Sequence, residues 1–148
     1  MKNSLSKVFE KDLNSLYQEI NAYQNEDDLW KMAEGISNSA GNLCLHIQGN
    51  LLTYIGAEIG QSGYVRNRPL EFSDKVSKEN LLKGIKHTKE VVVKTLQNMD
   101  EGTLSSIYPI AVFGDEKMQT SYFLVHLVGH LNYHLGQINY HRRILCYS

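Results

Sequence analysis

The chain is poor in cysteine. It has two in 148 residues, Cys44 inside an apolar pattern and Cys146 near the C-terminus, and two such residues make no disulfide framework. A reducing cytoplasm suits that usage, and Cys44 reads as a small core residue, not a nucleophile. Proline is equally scarce, at two residues, and no low-complexity tract or repeat interrupts the pattern. No apolar run is long enough to span a bilayer, and the opening Met-Lys-Asn-Ser-Leu-Ser-Lys-Val-Phe-Glu lacks the apolar core of a signal peptide. Neither sign of charge dominates: 15 basic against 16 acidic residues leave a net charge of −1. With no basic run or aromatic-interleaved basic stripe, nothing speaks for a nucleic-acid partner. Membrane and nucleic acid are set aside, and a small molecule remains the expected partner. Also absent are a Glu-x-x-His pair on each of two helices, which a ferritin-type di-iron site requires, and the His-Glu-x-x-His of a metalloprotease.

The apolar pattern that is present has a helical period. Val8, Phe9, Leu13, Leu16, Tyr17, Ile20 and Tyr23 recur at steps of three and four, predicting an amphipathic helix from about Ser4 to Gln24. Trp30 is expected to plug the end of a bundle, and Ser37, Asn38 and Ser39 offer N-caps for a second helix from about Ala40 to Gly60. The stretch from Gly60 to Ser73, broken by glycines and Pro69, reads as an ordered loop. Ser77 caps a third helix of about Ser77 to Asn98. A period break from Asp100 to Glu116 is compatible with a short strand or hairpin, and a fourth helix runs from about Lys117 to Leu145. One domain of this length buries a real core. The expected architecture is all-α, a four-helix bundle with an irregular or hairpin segment before the last helix.

Four of the six histidines fall on the fourth helix. His126, His130 and His134 stack along one face at i, i+4 and i+8, beside Phe123, Leu127 and Ile138. A single histidine there is most often a satisfied core residue. Three in series are costly to bury unpaired, because each ring carries a donor and an acceptor, and a shared divalent ion satisfies one nitrogen of each. One ion cannot take all three: eight residues span about 12 Å of helix, against metal–nitrogen bonds of about 2 Å. One adjacent pair is therefore allowed, and a third ligand must come from elsewhere. His141 is too far along the same helix to join, and His87 lies among charged neighbours. His46, in the apolar Leu43-Cys44-Leu45-His46-Ile47, is the better candidate.

These residues resemble the DinB-like (YfiT-like) superfamily of bacterial four-helix-bundle proteins. The resemblance rests on Leu-x-Leu-His46-Ile-x-Gly-Asn50-Leu in the second helix and His130-Leu-Asn-Tyr-His134-Leu-Gly-Gln137-Ile in the last, and it covers nearly the whole chain. It implies a divalent ion, zinc or nickel, held by His46, His130 and His134, with His126 left as a supporting or core residue. It also implies metal-dependent chemistry on a low-molecular-weight thiol, as in the thiol transferases and isomerases of the superfamily.

Three imidazole ligands leave an ion open positions, so the expected chemistry is activation of water or a thiol for a transferase-like or hydrolase-like reaction. Asn50 and Gln137, each within about a turn of a ligand, either orient the ligands or are helix-packing amides. Arg66 and Arg68 are either ordinary solvated charges or line the substrate cleft and face an anionic group with forked donors, and spacing does not choose between these; Tyr133 and Tyr140 either line the cavity or belong to the core. Gly129 and Gly136 each cost about 1 kcal/mol inside a helix, so a close neighbour is expected there, either another helix or a second copy forming a homodimer. Two other readings compete with the enzyme: a non-catalytic metal-binding stress-response module, and a metal-free bundle that binds a small molecule.

Overall fold

The computed structural model describes residues 1–146. Four long helices form the bundle: α1 (Lys2–Asn21), α2 (Ala40–Leu51), α4 (Lys78–Asn98) and α6 (Thr120–Cys146), with two short ones between them, α3 (Arg68–Ser73) and α5 (Glu101–Ser105). The predicted second helix is found as α2 followed without a break by a π-helical stretch, Leu52–Ala57, in which backbone N–H groups reach back five residues, Glu58 to Thr53 and Gly60 to Ile55. Ser39 and Ser77 cap as expected, accepting from the backbone N–H of Asn42 and Asn80.

Two segments differ from expectation. The loop around Pro69 contains α3, because a proline in the first turn is pre-set for helical φ and gives up an N–H that has no partner there. The segment before α6 holds α5, capped by the Asp100 side chain, and then a single antiparallel bridge between Ile107 and Gln119. There the Tyr108 N–H donates to Met118 O and the Thr120 N–H to Ser106 O, both at 2.9 Å. No strand forms among the described residues.

The core is the expected apolar face, with Phe9, Leu13, Leu16, Ile20, Ile55, Leu81, Val92, Leu96, Phe123, Leu131 and Ile138 fully buried. Trp30 packs on it from a 3₁₀ turn, Glu26–Trp30, against Gly41, where a Cβ would run into the indole. Cys44 is buried and free, and burial pushes its thiol up to about 12, which suits an inert core residue. No helix among the described residues is long and apolar enough to cross a membrane.

α1 packs on α4 and α6, while α2 packs on α3, α4 and α6, so the second and last long helices are neighbours. Polar ties set the rotation of α6. Asn132 Nδ2 donates to the buried Asp12 at 2.6 Å, and Asn139 Nδ2 and Arg142 Nε donate to Glu19 at 2.7 Å each. Asn132 lies two residues from both His130 and His134, about 200° round the helix at 100° per residue. Anchoring it on α1 turns the two histidines toward the opposite flank, where α2 stands. Gly129 and Gly136 have no atom within 4 Å of an added Cβ, so no neighbouring helix among the described residues packs closely on them; both are exposed on α6.

Candidate metal centre

His46, on the buried side of α2, and His130 and His134, on adjacent turns of α6, meet in the groove between the two helices. His130 Nε2 lies 3.2 Å from His46 Nε2 and 3.2 Å from His134 Nε2. The nitrogens the three rings offer all lie within 4.8 Å of one another. With bonds of about 2.05 Å to one ion, nitrogens at the shorter separation subtend about 100°, close to tetrahedral.

Two rings have their outer nitrogens fixed by acceptors. His46 Nδ1–H donates to Glu71 Oε1 at 3.0 Å, and His134 Nδ1–H donates to Gln137 Oε1 at 2.7 Å. With the proton of each ring on Nδ1, the Nε2 lone pair of each is turned toward His130. A single proton on His130 Nε2 can be donated to one of them and leaves the other lone pair with no hydrogen to accept. A cation satisfies all three lone pairs at once, so the donor set fits a divalent metal. Asn50, one turn beyond His46, has a buried Oδ1 with no hydrogen-bond partner among the described residues.

Glu71 escaped the sequence reading. It comes from α3, is buried, and is held by Arg66 through both oxygens, Nε to Oε2 at 2.7 Å and Nη2 to Oε1 at 2.8 Å. Burial alone would raise its carboxyl, but the hydrogen bonds from Arg66 and His46 outweigh that and hold it below the ordinary range. Arg–carboxylate–imidazole thus forms a chain that ends on a candidate ligand, the outer support that metal-binding histidines usually have. The signal in the sequence was Gly49: a Cβ there would collide with the Glu71 carboxylate, so a glycine that costs helix stability makes room for the acid.

The other candidates lie further out. Arg66 is taken up by Glu71, and Arg68 is exposed with its guanidinium 5.3 Å from the Phe72 ring centre. His126 is exposed, its ring 6.4 Å from that of His130 and packed edge-on to Phe113 at 4.8 Å. Tyr133 is exposed beside the His134 ring at 5.3 Å. His87 is exposed on α4. His141 is a satisfied core residue: its Nε2–H donates to Lys31 O at 2.8 Å and its Nδ1 accepts from the Tyr23 hydroxyl at 2.7 Å.

Burial, reinforced by the neighbouring imidazoles, lowers His130 to about 4 from the ordinary 6.5. Burial also lowers His134, against the opposing Gln137 bond. Between about pH 6.5 and 4 the unfolded chain then binds more protons at these positions than the folded one. Their contribution to the stability of the metal-free protein is complete above pH 6.5, declines as pH falls through that window, and levels off below it. Urea unfolding of the metal-free chain at pH 7 and pH 5 measures this, and His130→Gln should flatten the difference. An equal pH dependence in that variant would count against the buried neutral ring.

The chain is thus an all-helical bundle that carries, among the described residues, one cluster of three imidazoles that could hold a metal ion, backed by a carboxylate and an amide. Residues 2–148 match the family described as "Protein of unknown function (DUF1572)", and the chain belongs to that family. The crystal structure of a DinB-like protein from Bacillus cereus shares its fold, with a TM-score of 0.68 and 21% identity over 89% of this chain and 84% of that one. Among proteins with curated descriptions, none matches.

Proposed function

We propose that the chain is a divalent-metal-dependent enzyme in which His46, His130 and His134 hold zinc or nickel. It would act on a small electrophilic molecule with water or a low-molecular-weight thiol as the nucleophile, in thiol S-transferase-like or hydrolase-like chemistry. The observation that carries this reading is the convergence of three imidazole nitrogens, two of them with lone pairs already turned inward by Glu71 and Gln137. A divalent ion on three neutral imidazoles supplies Lewis acidity at open positions, lowering the pKa of a water or thiol placed there. The chain's own residues supply the rest. Glu71 and Gln137 hold the rings in one tautomer, and Arg66 keeps Glu71 ionised and in place. Asn50 Oδ1 offers a buried acceptor one turn from His46 that can orient a donor in the groove.

The test is a titration of the demetallated chain with Zn²⁺ and Ni²⁺, followed by assay with a panel of thiols and electrophiles. Binding one ion per chain, with free metal at about 100 times Kd, should add about 2.7 kcal/mol of stability. For a domain of this size that is a rise in melting temperature of about 5–10 °C, reversed by chelator. Binding with no turnover across the panel would favour the non-catalytic module. A melting temperature indifferent to both metal and chelator would favour the metal-free binder.

A further inference from the structure

Next to the imidazole cluster, between the second half of α6 and the segment 33–38, lies a cavity of about 480 Å³, within the range of small-molecule sites. His134 and Gln137 form the wall it shares with the cluster. Around its rim stand Ile36, Tyr133, Tyr140 and Ile144, which are 41%, 66%, 66% and 56% exposed. One exposed large apolar side chain is ordinary, but four around a single concavity mark a binding surface. The remaining polarity comes from uncharged groups, chiefly Ser37, Asn38 and the Gln137 amide, and from His141, whose two ring nitrogens are already bonded. Among the described residues, no lysine, arginine, aspartate or glutamate lines the cavity.

We propose that this cavity receives the organic body of the substrate, and that the substrate class is an uncharged molecule with an aromatic or branched aliphatic body. Its reacting end would lie toward His134. A charged group brought into this wall would lose hydration without gaining a counter-charge from the lining. The arginines expected to receive an anion are not here: Arg66 is neutralised by Glu71, and Arg68 lies on Phe72 outside the lining. Tyr133 and Tyr140 offer aromatic faces with hydroxyl tips, suited to gripping an apolar body while bonding a neutral polar end. The direction of the reacting end rests on the metal-centre reading; the charge class of the body does not.

The test uses three probes of one skeleton, 4-phenylbutanol, 4-phenylbutyrate and 4-phenylbutylamine, titrated into the full chain with and without one equivalent of Zn²⁺ and followed by amide chemical shifts. The alcohol should shift Gly35, Ser37, Gln137 and Tyr140, and should bind at least about tenfold more tightly than the acid or the amine. Tyr140→Glu, at an exposed position, should weaken the alcohol by a similar factor without changing melting temperature or zinc affinity. The proposal is overturned if the acid or amine binds as tightly as the alcohol, if the alcohol shifts residues elsewhere, or if it fails to bind up to its solubility limit. If the chain takes no zinc but the alcohol binds in this cavity, the metal-centre reading falls and the charge class stands. If zinc binds and the alcohol does not, the reverse holds.

Discussion

Replacing His46 with alanine is expected to lower affinity for Zn²⁺ or Ni²⁺ by more than about a hundredfold, exceeding the 10–100-fold typical of losing a supporting residue behind a metal ligand. His46 is the one imidazole of the cluster that α2 contributes. Without it His130 and His134 remain as a two-ligand site on adjacent turns of one helix, which does not hold a divalent ion tightly against water. The helix itself should survive, because its apolar contacts through Leu43, Ile47 and Leu51 are untouched. Calorimetric titration, with far-ultraviolet circular dichroism as the folding control, checks this. His126→Ala is the matched control: exposed and outside the converging set, it should leave affinity within about twofold. Undiminished binding in His46→Ala, or an equal loss in His126→Ala, would mean that the ion sits elsewhere on the histidine stripe.

Glu71→Ala is expected to act on stability and metal affinity together. It strands Arg66, whose side chain is 14% exposed in its pair with the acid; an uncompensated, largely buried charge of this kind costs about 3 kcal/mol. It also frees the His46 ring to rotate or change tautomer, which should weaken metal binding about 10–100-fold. Glu71→Gln separates the two effects. The amide oxygen can still accept from His46 Nδ1–H, so affinity should recover most of the way, while the ionic grip of Arg66 is gone and stability recovers less. Urea unfolding and zinc titration on the pair of variants measure this. If Glu71→Ala is folded and binds zinc as tightly as the unsubstituted chain, the carboxylate has no part in holding the ligand.

The four long helices were legible in the sequence because their apolar residues repeat over enough turns for the period to be unambiguous, and because Ser39 and Ser77 stand at the starts of two of them, α2 and α4. The short helices were not. α3 spans six residues beginning Arg68-Pro69, too few for a period, so proline read as a breaker when it serves as a helix start. α5 is held by the Asp100 cap and by its packing on α6, neither of which has a periodic signature. The π-helical stretch after Leu51 has no periodic signature either; Gly56 within it and Gly60 just beyond it lie close against α4, where a Cβ would press on Val91 and Thr95.

The site divides along the same line. Spacing along α6 could limit the choice to one adjacent pair of histidines but could not choose it, because i, i+4 looks the same for His126–His130 and His130–His134. The family resemblance pointed to the second pair; in the folded chain that pair faces α2 because Asn132 is anchored on Asp12, a contact between residues 120 apart in sequence. Glu71 was invisible for the same reason. Nothing local distinguishes it from any surface acid, and only the void left by Gly49 on a helix paired with α3 marks its place. Arg66 drew notice as a bidentate donor and is one, but its carboxylate belongs to the protein itself.

The proposed chemistry requires one ion held between α2 and α6. Diffraction from crystals of zinc-reloaded protein, recorded above and below the zinc absorption edge, measures this directly. The expected result is a single anomalous peak at about 2.0–2.1 Å from the Nε2 atoms of His46, His130 and His134, with a coordination position left to a non-protein ligand. No peak between these rings, or a peak bound by other residues, would contradict it.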